Sequence, residues 1–446
     1  MFMDDRKHVA WLYDQLPALI AEGALTDETA ARLRARYGPL EEGAGRRRAI
    51  VLFGILGAAL IGGGVILLLA HNWEALGRLV RGLLALALLF IAQGLSFWVL
   101  ARRPASMAWR EGAGTLQTMA IGASIALVSQ TYHTGGAFED FLLLWALLAL
   151  PVAYLLRATL PAILYLCAIA YWASAQTFFA RFLPFVPDAF AYWVLLALAL
   201  PWWGLALREN RHGARSSLFG WALVLTLPVG YALSLQHSAE VLWPLWCCAL
   251  VAVLYLAGER WQADAPSLRQ RPLLIAGALG FGALGLFLSF GDAWRFQAFQ
   301  ALLRGERELF LAHPAEFAIG LLWVVAALAL WADALRRGVA NAALVGALPV
   351  VALAGYAIGD HAPGGAAALF NLYLLIVGVG VLVTGFRTQR LGLVNAGMAV
   401  LSALIFCRFF DSDLGFVARG VAFIVVGAGF LAANLVLLRK KGAAVR

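Results

Sequence analysis

Fourteen apolar runs of about 18–23 residues recur along the chain, and they constrain its fold more than any other feature. They lie near 50–70, 79–101, 113–132, 139–156, 159–179, 188–207, 217–235 and 239–258, and continue at 272–290, 315–334, 339–358, 366–386, 390–409 and 414–437. An α-helix of that length, rising 1.5 Å per residue, crosses a hydrocarbon core about 30 Å thick. In lipid each backbone N–H and C=O must be satisfied within the protein, which makes the helix the natural form for such runs. The expected fold class is an all-α integral membrane protein of about 14 transmembrane helices. Composition agrees: 63% of residues are hydrophobic, 13% are charged, and the mean hydropathy is +0.82. A soluble domain is about 45–50% apolar and about 25% charged.

Charge then orients the chain. The net charge of +9 could suggest a nucleic-acid partner, but Lys and Arg occur as short clusters between apolar runs and not as one basic surface. The lipid bilayer is the partner implied, and no nucleic acid is. With the N-terminus inside, the inner segments hold 26 basic residues and the outer segments 8. That distribution obeys the positive-inside rule and predicts that both termini are cytoplasmic. Runs four and five are joined by little more than Arg157.

Four regions follow. Residues 1–48 read as a cytosolic helical hairpin. Its first helix spans His8–Glu22 and stops at Gly23; Thr26 caps the second, with Asp27 and Glu28 in the first turn, and Gly38-Pro39 ends it. Residues 49–157 form a four-helix membrane segment. Residues 158–438 carry the remaining spans, with an outer segment at 291–314 that reads as an interfacial helix bearing Trp294, Phe296 and Phe299. A basic tail, 439–446, closes the chain. Cys167, Cys247, Cys248 and Cys407 all fall in apolar runs without metal-type spacing, and are expected to be small buried residues.

The expected outer side gathers the unusual polar residues. His71, His133, His237, His313 and His361 all fall there, and that side carries 12 acids against 8 bases. The candidate cluster comprises His71, Asn72, Glu74, Arg81, Gln130, Tyr132, His133, Asp140, Asp360, His361, Arg408, Asp411, Asp413 and Arg419. Such a rim could bind a cation, relay protons or hold a polar head group. The plainer alternative is interfacial anchoring by aromatic and polar helix ends, with Arg408, Asp411, Asp413 and Arg419 paired across a turn. No metal is expected from ligand pairs on one helix face, no cofactor is implied, and no nucleophile has a local signature. Within the spans the polar side chains are mainly amides and hydroxyls, among them Gln117, Thr118, Ser124 and Asn371, suited to bonding helix to helix.

Two pairs of segments look alike. Arg81-Gly82 and Arg419-Gly420 open the second helix of the first and last hairpins, and His133-Thr134-Gly135-Gly136 matches His361-Ala362-Pro363-Gly364-Gly365. The stretch Trp11–Arg157 resembles a bacterial family of predicted membrane proteins classed as a domain of unknown function. The hairpin "LIAEGALTDETAARLRARYG", the span end "GVILLLAHNWEAL", the segment "GASIALVSQTYHTGG" and the C-terminal "RFFDSDLGFVARG" carry that resemblance. It implies a place in the bacterial inner membrane, but no activity, substrate or cofactor. Three functional expectations remain open: transport or lipid handling through an outward-facing polar groove, a non-catalytic scaffold recruiting a protein partner at the hairpin or outer face, and an intramembrane enzyme acting on a lipid-linked substrate.

Overall fold

The computed structural model describes residues 4–37, 76–173, 188–294, 311–359 and 362–409, with three isolated helical positions at 417, 420 and 424. Among these residues every regular element is helical. The chain divides into two units, residues 1–86 with 130–133 and residues 87–129 with 134–446.

In the first unit, α1 (Asp4–Ala21) and α2 (Asp27–Tyr37) pack on each other, with α1 beginning four residues before His8. Gly23 sits at φ +74°, a left-handed turn that glycine adopts without steric cost. The Thr26 hydroxyl accepts the Thr29 N–H at 3.3 Å, which is the cap expected from the sequence. Leu16 and Ala30 are fully buried, whereas Trp11 is 64% exposed.

The remaining helices are α3 (Arg78–Arg102), α4 (Met107–Tyr132), α5 (Phe138–Leu156), α6 (Thr159–Ala173), α7 (Asp188–Glu209), α8 (Ala214–Leu233) and α9 (Gln236–Gln262). After them come α10 (Pro272–Leu288), α11 (Pro314–Arg336), α12 (Ala340–Gly346), α13 (Leu348–Gly359), α14 (Pro363–Thr388) and α15 (Leu391–Phe409). Helix α3 begins, and α4 ends, in the first unit. Among the described residues ten helical stretches are long and apolar enough to cross a membrane; α12 and α13 together make one of them. Two more, α6 and α10, are apolar but shorter. The first apolar run lies outside the described residues, and the last does so almost entirely.

Helix α9 is the hub of the second unit, touching α8, α10, α11, α12 and α13. Of its span 67% is buried inside the protein, against 17% for α3 and for α15. Lipid gives helices no hydrophobic reason to associate, so close backbone approach through small residues takes over. A β-carbon at Gly258 would strike the backbone of Leu273–Leu274, and one at Gly277 the backbone of Tyr255, which locks α9 against α10. Gly397 likewise lies against Gly378 and Leu382 where α14 meets α15.

Arg157 makes the tight turn between α5 and α6. It adopts φ 49°, ψ 41°, and the Ala158 N–H bonds back to the Ala153 carbonyl at 3.1 Å. Around it the basic helix ends of the second unit are stitched together. Arg157 and Arg215 both reach Glu209, at 2.7 and 2.6 Å, and Arg215 also donates to the Arg157 carbonyl and stacks over Trp202. Glu111 accepts from the Thr159 N–H at 2.8 Å and from its hydroxyl at 2.6 Å, and Arg110 donates to the Leu156 carbonyl at 2.6 Å. Arg211 meets Asp264 at 3.7 Å, Gln270 donates to the His212 carbonyl at 2.7 Å, and Arg337 pairs with Glu259 at 2.7 Å and Asp333 at 2.8 Å. The Glu259 hydrogen bond is the largest influence on the Arg337 guanidinium and raises its pKa.

Two expectations are corrected. Trp294 is not on an interfacial helix: residues 291–294 form a single 3-10 turn, and the buried Trp294 ring sits against Gly355, Gly359 and Phe370 while its indole N–H donates to the Leu288 carbonyl at 2.7 Å. Small residues on α13 leave the space that draws the ring inward; residues 295–310 lie outside the description. All four cysteines are free, but only Cys248 is fully buried and Cys167 is exposed, since α6 presents it away from the core.

Candidate functional site

Six of the fourteen candidate residues are described: Arg81, Gln130, Tyr132, His133, Asp140 and Arg408. His71, Asn72, Glu74, Asp360, His361, Asp411, Asp413 and Arg419 lie outside the described residues, as do the second members of the paired segments, apart from Gly420 and residues 362–365.

In the first unit Tyr132 lies over Gly82, its hydroxyl 2.9 Å from where a β-carbon would stand. The Arg-Gly pair therefore has a steric meaning: glycine makes room for the phenol. Arg81 Nε donates to the Leu76 carbonyl at 2.9 Å. Gln130 and His133 are exposed, and His133 holds φ 53°. In the second unit Asp140 accepts the Ala137 N–H at 3.3 Å, a cap for α5. Arg408 donates to the Ser289 hydroxyl at 3.2 Å and lies 4.3 Å from the Phe290 ring centre. Asn371 donates to the Ser289 carbonyl at 3.0 Å, and Ser96 bonds Gln117 at 3.5 Å, the helix-to-helix role expected of in-span amides.

The tightest group of chemically versatile side chains was not in the candidate cluster. His237 opens α9, His313 precedes α11, and Glu316 occupies the first turn of α11. One Glu316 oxygen, Oε2, accepts the backbone N–H groups of His237 and Ser238 at 3.0 and 2.9 Å. The other, Oε1, lies 2.8 Å from His237 Nδ1 and 3.6 Å from His313 Nδ1. The two imidazoles stack with centres 3.9 Å apart and planes 6° from parallel. Glu316 is buried, while the side chains of His237 and His313 are 53% and 31% exposed. One potential ligand atom from each of the three residues lies within 4.8 Å of the other two.

Aromatic packing holds this group in place. Phe317, next to Glu316, meets Trp246 at 6.4 Å; deeper along α11, Trp323 meets Tyr231 at 5.3 Å and Trp193 at 5.7 Å. The Tyr231 hydroxyl donates to the Trp246 carbonyl at 2.9 Å, tying α8 to α9.

A signal for the group was present in the sequence. The expectation of no ligand pair on one helix face passes over His313-Pro314-Ala315-Glu316, where an acid follows a histidine by three residues. His71-Asn72-Trp73-Glu74 and His237-Ser238-Ala239-Glu240 have the same spacing. The approach of α9 to α11, which adds the second histidine, leaves no local mark.

These helices and polar helix ends define a membrane protein with many apolar spans. Residues 17–162, about a third of the chain, match the family described as "Predicted membrane protein (DUF2157)", in agreement with the resemblance drawn from the N-terminal motifs. That stretch includes Gln130, Tyr132, His133 and Asp140 and stops short of His237, His313 and Glu316. No curated protein and no solved structure matches the chain.

Proposed function

We propose that this chain is a bacterial inner-membrane protein of fourteen spans, with both termini cytoplasmic, that captures a ligand at its outer end in transport or lipid handling. The span count rests on ten long helices, two shorter apolar ones, and the two apolar runs at 50–70 and 414–437. One observation carries the functional reading. Glu316 is a buried carboxylate in the first turn of a membrane helix, facing two partly exposed imidazoles on the side expected to face outward. Ionisable groups in membrane helices are costly in lipid and commonly mark sites of binding or passage. Among the described residues no other group of three such donors comes together, and at the basic end Arg157, Arg215 and Arg337 are paired with carboxylates.

The test is complementation of a deletion strain. His237→Ala, His313→Ala and Glu316→Gln are expected to abolish rescue while inserting at parental levels. Full rescue by all three would dispose of the reading.

A second reading, a scaffold, is favoured by Trp11, a large aromatic ring left 64% exposed on the hairpin. It predicts that removing residues 1–45 abolishes rescue although the membrane helices insert; unimpaired rescue would exclude it.

A further inference from the structure

We propose that His237, His313 and Glu316 form a binding site for a divalent transition-metal ion, for which zinc is the probe. The inference names the ligand class for the capture reading above and rests on that reading only for the side from which the ion arrives.

The donor set is two imidazole nitrogens and one carboxylate oxygen, a combination that suits zinc and its first-row neighbours and is too nitrogen-rich for calcium or magnesium. Distances fit as well. Bonds of 2.0–2.1 Å in a tetrahedral zinc site hold ligand atoms about 3.3 Å apart. The edges from Glu316 Oε1, at 2.8 Å to His237 Nδ1 and 3.6 Å to His313 Nδ1, fall on either side of that value. One donor atom from each residue lies within 4.8 Å of the other two, and the imidazoles, stacked 6° from parallel, must turn out of the stack to aim both lone pairs at one ion, because an imidazole binds metal in its own plane.

The carboxylate is already anchored. Glu316 Oε2 is held by two backbone N–H groups, so Oε1 stays fixed toward the imidazoles whether or not an ion is present. On binding, the His237 proton resides on Nε2 and the Nδ1 lone pair turns to the metal, with no net change in charge on the ring. Three protein ligands leave one coordination position for water or for a ligand carried by the ion, and the exposed edges of His237 and His313 give access to it.

The experiment uses the full chain in detergent, stripped with a chelator and titrated with zinc against a chromogenic competitor. The His237→Ala/His313→Ala double variant is expected to bind one zinc fewer per chain than the parent. Singly, His313→Ala and Glu316→Gln should weaken that site by at least about tenfold. Cobalt in place of zinc should give the parent a visible tetrahedral absorption band that the double variant lacks. Glu316 also holds the start of α9, so the double variant, which keeps that carboxylate, decides the matter if Glu316→Gln does not fold. Equal zinc stoichiometry and affinity in the parent and a folded double variant would overturn the site. Zinc binding as expected together with full rescue by the same variants in cells would leave the site standing and remove the capture function.

Discussion

Two carboxylates illustrate how the same side chain is used in opposite ways. Glu111 is consumed by structure: its oxygens take the Thr159 N–H and hydroxyl and reach the Leu160 N–H at 3.3 Å, so the opening of α6 is satisfied from a neighbouring helix. Removing it strands a donor that the α6 start cannot otherwise pair. Glu111→Ala is therefore expected to cost about 1–3 kcal/mol, read as a lowered thermal midpoint in detergent, with Glu111→Gln recovering part of the loss. Unchanged midpoints in both variants would show that α6 needs no such cap. Glu316 spends only Oε2 in this way and keeps Oε1 for the imidazoles. Sequence distinguished the two poorly. Both are single acids near a span end, and what separates them is the identity of the facing helix, a tertiary fact.

At the scale of elements, glycine position decides which helices approach closely. Gly277 and Gly282 both lie on α10, yet a β-carbon at the first would strike the Tyr255 backbone, whereas nothing lies within 4 Å of the second. Alanine is the better helix former by about 1 kcal/mol, so Gly282→Ala is expected to be neutral or mildly stabilising. Gly277→Ala should instead destabilise by about 1–3 kcal/mol, because α9 and α10 have to separate. Thermal unfolding of the two variants in one detergent checks the contrast, and equal midpoints would refute it. Helices themselves were legible from apolar run length, and each of the twelve runs from 79–101 to 390–409 overlaps a helix within its described residues. Breaks inside them were less so. The step between α12 and α13, just before Pro349, and the non-helical Leu242 two residues before Pro244 in α9 reflect prolines that membrane helices often absorb without ending. Trp294 was misplaced because aromatic residues near a span end suit the interface and a glycine-lined pocket equally well.

Considered as a whole, the second unit has two unlike ends: one bound together by arginine–carboxylate pairs, the other carrying His237, His313, Glu316 and Arg408. The basic end is expected to face the cytoplasm. In a variant lacking native cysteines, Ala137→Cys should react with a membrane-impermeant maleimide in intact cells and Ala263→Cys only after permeabilisation. The reverse pattern would invert the assignment. Helix α10 adds a consequence for the surrounding lipid. Its 17 residues span about 26 Å, short of a hydrocarbon core of about 30 Å, and Leu279 and Phe287 on it are exposed. At Ser289 the chain already turns, and Asn371, two turns into α14, meets it there. As a span, a helix this short would favour thin bilayer regions, at a modest cost per ångström of mismatch.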